Sequence, residues 1–154
     1  ADTPVHKGIA QLAGMEALDA SESLEEKIET VRNRWDDFDF FFLHVKSRDS
    51  AGEDGDFDRK VALIREVDEQ IPCIMKLGPD VVVVTGDHST PASLKSHSWH
   101  PVPFLLWSKY CRPDGVDIFH ESSCINGGFG PNMPATGILP LMLANAQRLG
   151  KFEP

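Results

Sequence analysis

Residues 81–88 read Val-Val-Val-Val-Thr-Gly-Asp-His, and this stretch is the strongest indication of the fold class in the sequence. Four consecutive valines are typical of a strand that is buried on both faces, as the strands of a parallel sheet are. The glycine permits a bend, after which Asp87 and His88 lie at the carboxyl end of the strand. Because open α/β sheets bind their ligands at that end, the stretch predicts a parallel sheet with a polar site at its edge.

A segment upstream repeats this order of apolar strand and polar loop. Residues 40–45 are almost entirely apolar and predict a second buried strand. A polar, glycine-containing loop is expected at 47–56, and in it Asp49 and Glu53 lie four residues apart. On a helical turn these two carboxylates would share one face and could bind one cation.

A further imidazole comes from His97, nine residues after His88, in a long loop at 85–101. Long loops in compact domains are often functional. Carboxylates and imidazoles together suit manganese, zinc, iron or magnesium better than copper or an iron–sulfur cluster. Two such ions activate a nucleophile and clamp a transferring phosphoryl group. From the residues alone, a solvated acidic loop with histidines that only shape the chain remains an alternative.

The spacing of apolar residues predicts an alternation of helices and strands. Further strands are expected at 15–18, 103–107 and 116–119, and helices at 5–14, 24–35, 57–77, 121–125 and 136–149, with Pro72 kinking or ending the third helix. Such alternation favours parallel strands with helices on both faces. The predicted fold class is α/β, a three-layer α/β/α arrangement with a mostly parallel sheet, and residues 1–154 form one segment of that domain.

The composition excludes several classes of protein. The chain has 154 residues, a net charge of −9 and a pI of about 5.0, which argues against nucleic acid or an anionic membrane as the main partner. An anionic substrate stays compatible, because bound cations reverse the local field. No apolar run approaches the roughly 20 residues of a membrane span. Three cysteines without a Cys-x-x-Cys pair predict no disulfide framework and a reducing cytoplasm.

Several segments occur in an order that resembles one family. They are Lys7-Gly8-Ile9-Ala10 with Ala13-Gly14-Met15, Phe42-Leu43-His44-Val45-Lys46, residues 49–56, residues 85–91, and His97 with Pro101-Val102-Pro103. The chain resembles the C-terminal part of a cofactor-independent (2,3-bisphosphoglycerate-independent) phosphoglycerate mutase of the archaeal type, from the alkaline phosphatase superfamily. The resemblance covers nearly the whole chain, and the Thr-Gly-Asp-His stretch followed by His and Pro-Val-Pro is its most specific part.

The resemblance implies a glycolytic isomerase that interconverts 2- and 3-phosphoglycerate with two divalent metal ions. Manganese is the expected metal, with zinc, magnesium and cobalt as alternatives. By resemblance, Asp87 and His88 would bind one ion, and Asp49, Glu53 and His97 would bind the other. The family's nucleophilic serine, which takes the phosphoryl group and returns it, lies upstream together with a domain that closes over the substrate. The isolated chain is therefore expected to be inactive.

One residue departs from the family pattern, because Glu53 stands where the common motif has histidine. Glutamate binds metals through oxygen, adds negative charge and shifts the preference toward harder cations. This departure leaves open a catalytically lapsed binding domain. Another alternative is a phosphatase or other phospho- or sulfo-hydrolase on the same scaffold, with water as the acceptor.

The chain begins Ala-Asp-Thr-Pro without an initiator methionine, so we expect it to be part of a longer protein. The expected partners are a small phosphorylated substrate and the remaining part of the same enzyme. An incomplete sheet would leave a strand edge exposed, which also predicts self-association into a homo-oligomer.

Overall fold

Six helices and two strands form the part of the chain that the structure, a computed structural model, describes: residues 4–19 and 23–150, without the side chains of residues 47 and 48. The helices are α1 (Pro4–Leu12), α2 (Leu24–Asn33), α3 (Ser47–Asp54), α4 (Phe57–Met75), α5 (Glu121–Cys124) and α6 (Ile138–Asn145). The strands are β1 (Val81–Thr85) and β2 (Phe104–Ser108). Short 3-10 turns occupy Trp35–Asp37 and Ala135–Gly137.

These elements fall into two compact units. The first comprises the described residues of Ala1–Gly78 together with Thr90–Ser96, and the second comprises those of Pro79–Ser89 and His97–Pro154. Helices α1 to α4 therefore belong to the first unit, and both strands, α5 and α6 to the second. None of the helices described here is long and apolar enough to cross a lipid bilayer.

The first unit packs α2 and α3 against the long helix α4. Helix α2 begins as predicted, because the Ser23 hydroxyl accepts a hydrogen bond from the Glu26 N–H and so satisfies one of the first backbone donors. Its apolar side chains Leu24 and Ile28 are buried. Lys27 is buried beside them, only 4% exposed, and its ammonium donates to the carbonyl oxygen of His44 over 3.2 Å. This bond joins α2 to the segment that precedes α3.

Helix α3 corrects the prediction of a loop at 47–56. Its composition is polar, but Ala51 is completely buried and the helix packs on α4, so tertiary packing outweighs the weak local propensity. Gly55 ends the helix with a φ of +74°, the left-handed conformation that glycine adopts without strain. The helix gives Asp49 and Glu53 the shared face that their spacing predicted.

The predicted helix at 57–77 is confirmed as α4. The Asp56 side chain caps it by accepting a hydrogen bond from the Arg59 N–H at 3.0 Å. Pro72 lies inside the helix, which continues to Met75, so the proline does not end it. A proline removes one backbone donor, and near the last turn this loss concerns a single intrahelical bond.

The second unit contains a two-stranded antiparallel sheet. Val81 pairs with Ser108 and Thr85 with Phe104, and α6 packs against β1. Both strands were predicted, but the parallel direction was not confirmed: in residues 4–19 and 23–150 the sheet holds only this pair. A valine run indicates burial, and nothing in it specifies the direction of the neighbouring strand. The chain thus combines helices with a small sheet, and the three-layer arrangement is not seen in this part.

Three other predicted strands are wrong. Residues 15–18, 40–45 and 116–119 form neither helix nor strand in the structure. A strand exists only when a partner satisfies its backbone groups, and none of these segments has one within the described sheet. The burial expected at 40–45 also fails, since the Phe42 side chain is 63% exposed.

Ser108 ties the end of β2 to α6. Its side chain is buried, and its hydroxyl donates to Asn145 Oδ1 over 2.8 Å while accepting the Cys111 N–H at 2.9 Å. Asn145 in turn donates to the Leu141 carbonyl oxygen within α6. Helix α6 is shorter than the predicted 136–149, because a 3-10 turn precedes it and the helix already ends at Asn145. The three cysteines are free thiols of intermediate burial.

Asp114 organises the glycine-rich segment at 127–130. Its Oδ2 accepts the Gly128 N–H over 2.7 Å, and its Oδ1 accepts the Val116 N–H over 3.0 Å. These backbone donors, Gly128 first, stabilise the carboxylate and hold the pKa of Asp114 below its ordinary value of 3.8. A side chain at Gly127 would crowd this contact, because its Cβ would lie 3.0 Å from Asp114 Oδ2.

We expect acid to release this segment only below pH 3.8. The pKa is depressed in the folded state, so the carboxylate contributes stability above its unfolded pKa and loses that contribution as the pH falls through the folded pKa. The chemical shift of the Gly128 amide, followed by NMR from pH 7 downward, should titrate with a midpoint below 3.8. In Asp114→Asn this titration should vanish. A midpoint at or above the ordinary value would contradict the assignment.

Candidate metal centre

The end of β1 presents Asp87 and His88 as the sequence predicted. Asp87 Oδ1 accepts the His88 backbone N–H at 3.0 Å, and its Oδ2 lies 3.5 Å from His88 Nε2. The Asp87 side chain is 67% exposed and that of His88 is 32% exposed. The carboxylate is therefore accessible to a ligand, and its backbone contact fixes it next to the imidazole.

His97 lies against His88 within the second unit. The Ser98 N–H donates to the Ser89 carbonyl oxygen at 2.9 Å, which forms an antiparallel bridge next to both histidines. The two ring centroids are 3.8 Å apart, with an angle of 31° between the rings. The bridge therefore brings together two predicted ligands that are nine positions apart in the sequence. Neutral imidazole nitrogens are the commonest metal ligands in proteins.

Helix α3 carries the remaining two candidates in the first unit. Asp49 is half-buried and Glu53 is exposed. Asp49 Oδ1 accepts a hydrogen bond from the Thr90 hydroxyl at 2.7 Å, and Thr90 is only 5% exposed. The carboxylate of Asp49 is thus held by a buried partner, as metal-binding carboxylates commonly are.

Sequence reasoning missed the residues around Thr90. Lys60 on α4 donates to the Thr90 carbonyl oxygen. Gly52 on α3 lies so close that a Cβ there would meet the same carbonyl oxygen and would lie 2.9 Å from the Thr90 methyl carbon. Thr90 and Asp49 are 41 residues apart, and no periodicity links them. Only the buried position of a threonine in a polar loop could have given a signal, and burial is not visible in one sequence.

The other histidines have structural contacts. The His44 ring lies 4.4 Å from that of His6, and His120 caps α5 by accepting the Ser123 N–H at 3.2 Å. The Nδ1 of His100 lies 2.8 Å from the Ser98 hydroxyl.

The predicted residues fit a divalent cation by the chemistry of their donor atoms. In the first unit, Asp49 and Glu53 offer carboxylate oxygens. In the second unit, Asp87 offers a carboxylate next to the adjacent imidazoles of His88 and His97. Oxygen and imidazole donors suit manganese, zinc, iron and magnesium. The exposure of Asp87 and His97 leaves these two side chains accessible.

Known proteins are similar to this chain over almost all of its length. A family model described as the Metalloenzyme superfamily matches residues 8–145. A probable 2,3-bisphosphoglycerate-independent phosphoglycerate mutase of Thermotoga neapolitana is 51% identical over 149 residues, which cover 97% of this chain and 37% of that protein. A protein of the same name from Deinococcus radiodurans is 44% identical over 155 residues, covering 99% of this chain and 38% of that protein.

A solved structure of a Pyrococcus horikoshii protein superposes with a TM-score of 0.93 at 30% identity, over 100% of this chain and 43% of that one. The resemblance to phosphoglycerate mutases is thereby confirmed, and the chain spans a little over a third of the length of the curated relatives. Because the family model covers most of the sequence, from residue 8 to residue 145, the chain belongs to the Metalloenzyme superfamily.

Proposed function

We propose that this chain is the metal-binding part of a 2,3-bisphosphoglycerate-independent phosphoglycerate mutase, which interconverts 2- and 3-phosphoglycerate. The observation that carries the proposal is the paired His88 and His97 beside Asp87, in a chain that aligns over 97% of its length with proteins of that name. A carboxylate with two adjacent imidazoles is the kind of donor set that phosphoryl-transfer metals use.

The proposed ligand set divides between two ions. Asp87 and His88 bind one, and Asp49, Glu53 and His97 bind the other. Manganese is the proposed metal, and zinc, magnesium or cobalt are alternatives that the same donors accept. Glu53 supplies an oxygen ligand from the face of α3 that also carries Asp49.

Bound divalent ions supply positive charge that activates a nucleophilic hydroxyl and stabilises phosphoryl oxygens. The residues of this chain hold and orient that charge. The nucleophile is proposed to be a serine in the part of the relatives' length that this chain does not span. Its hydroxyl loses a proton as its oxygen forms a bond to phosphorus, while the ester bond to one glycerate oxygen breaks and that oxygen takes a proton. The other glycerate hydroxyl then loses its proton and bonds to phosphorus as the bond to the serine oxygen breaks, and the serine oxygen takes a proton, which restores the serine.

In the intact protein, β1 is proposed to be part of a three-layer α/β/α domain with a mostly parallel, alkaline-phosphatase-like sheet, of which residues 1–154 are one segment. The half-buried valines of β1 and the high TM-score to a structure more than twice as long support this fold. The free cysteines support a reducing cytoplasm as its location.

The test is product analysis with the full-length protein that contains this chain. We expect 3-phosphoglycerate to be converted to 2-phosphoglycerate without release of inorganic phosphate, and both signals are resolved by phosphorus NMR. A chelator should stop the conversion and added Mn²⁺ should restore it. Stoichiometric release of phosphate would instead favour a hydrolase, and no turnover with any divalent metal would favour a lapsed domain.

A further inference from the structure

We propose that Thr90 is a positioning residue that fixes the carboxylate of Asp49 for metal binding. This inference rests on the proposed function, because it assumes that Asp49 is a ligand. The Thr90 hydroxyl donates to Asp49 Oδ1 over 2.7 Å, and the threonine is only 5% exposed. A hydrogen bond to a carboxylate is charge-assisted and about twice as strong as one between neutral groups.

The bond determines the orientation of the carboxylate. A hydroxyl that holds one oxygen restricts rotation about the last side-chain torsion and so fixes the direction of the second oxygen. Asp49 lies on α3 and is half-buried, so its backbone is already placed by the helix. The Thr90 hydroxyl restricts the rotation of the Asp49 carboxylate, which reduces the ordering that a bound ion would otherwise have to impose.

Thr90 is itself held on three sides. Its carbonyl oxygen accepts from the Lys60 ammonium of α4, and its methyl group packs against Gly52 of α3. The third contact is the hydroxyl bond to Asp49. A β-branched side chain with its methyl and hydroxyl both in contact has one available rotamer, so the donor direction is fixed.

The position of Thr90 in the sequence gives this arrangement a second consequence. Only Ser89 separates Thr90 from His88, a proposed ligand of the other ion. The residue that orients Asp49 therefore lies two positions after His88 in the sequence. Thr90 is accordingly a candidate for setting metal affinity without contacting the ion.

The experiment compares Thr90→Val with Thr90→Ser in the full-length protein. Valine keeps the shape and removes the hydroxyl, whereas serine keeps the hydroxyl and removes the methyl. The readout is Mn²⁺ affinity, measured from the electron paramagnetic resonance signal of free Mn²⁺ during a titration. We expect Thr90→Val to weaken one class of site by about 10- to 100-fold, as loss of a group that orients a ligand typically does. Thr90→Ser should stay close to the wild-type affinity.

Asp49→Ala separates failure of this inference from failure of the proposed ligand set. If Asp49→Ala loses a site while Thr90→Val binds as the wild type does, the positioning role is overturned and the ligand set stands. If Asp49→Ala itself leaves Mn²⁺ binding unchanged, the ligand set fails. Equal weakening by valine and serine would also overturn the inference, because packing alone would explain it. If Thr90→Val does not fold, the serine variant alone decides the question. A large loss of Mn²⁺ affinity in Thr90→Ser would then overturn the inference, because this variant keeps the hydroxyl.

Discussion

Gly52→Ala is expected to destabilise the protein, although alanine is the better helix former. A Cβ at position 52 would lie 2.9 Å from the Thr90 methyl carbon and closer still to its carbonyl oxygen, a backbone atom that cannot rotate away. Such overpacking typically costs about 1–3 kcal/mol. Urea unfolding of the full-length protein measures the change, and the Mn²⁺ affinity should fall with it because Thr90 is displaced.

Gly8→Ala is the matched control. Gly8 also lies inside a helix, α1, but nothing comes within 4 Å of a Cβ at that position. There the substitution should follow helix propensity and stabilise by up to about 1 kcal/mol. The two alanine variants should therefore shift stability in opposite directions. If Gly52→Ala were as stable as Gly8→Ala, the close approach of α3 to Thr90 would be refuted.

In the full-length protein, for which the mutase activity is proposed, Asp87→Asn is expected to lower the rate of phosphoglycerate isomerisation by at least about 100-fold, since even groups that only orient ligands contribute 10- to 100-fold. The amide keeps the size of the side chain but loses its negative charge and one acceptor oxygen. The side chain is 67% exposed, so the fold should tolerate the change. The rate and the bound metal should fall together.

Asp80→Asn provides the comparison for this experiment. Asp80 is an exposed carboxylate at the other end of β1, directly before Val81. Its replacement changes the net charge by the same amount and should leave both the rate and the metal content unchanged. Isomerisation that is equally fast in both variants would exclude Asp87 as a ligand.

Helices with a clear apolar stripe and a capping side chain were predictable from the sequence. Ser23 and Asp56 begin α2 and α4 as capping residues do, and both helices were expected at these places. Helix α3 was not expected, because its sequence is polar, whereas in the fold it packs on α4 with Ala51 completely buried. Local patterns contain no information about that burial.

Strands, too, were only partly predictable from local sequence patterns. The valines of β1 and the apolar run of β2 were recognised, but residues 40–45 have a similar composition and form no strand. Pairing depends on a partner elsewhere in the chain, and composition describes only one side of the pair. For the same reason, the composition of β1 and β2 did not indicate that the two strands run antiparallel.

Sequence patterns indicated which residues to consider for the candidate site, but not how they are arranged. Asp87, His88 and His97 were chosen from their order after a strand, and their proximity is seen in the bridge between Ser89 and Ser98. No sequence pattern indicated Thr90, Lys60 and Gly52. Their contacts join residues that are 30 to 41 positions apart in the sequence. That Asp49, Glu53, Asp87, His88 and His97 are metal ligands stays a prediction.

The most direct test of the account is a calorimetric titration of the full-length protein with Mn²⁺, alongside His97→Ala. We expect two saturable sites per chain in the wild type. His97→Ala should lose the site proposed for Asp49, Glu53 and His97 and keep the other. Absence of saturable binding, or two sites that are indifferent to His97, would contradict the proposal that these residues hold two divalent ions.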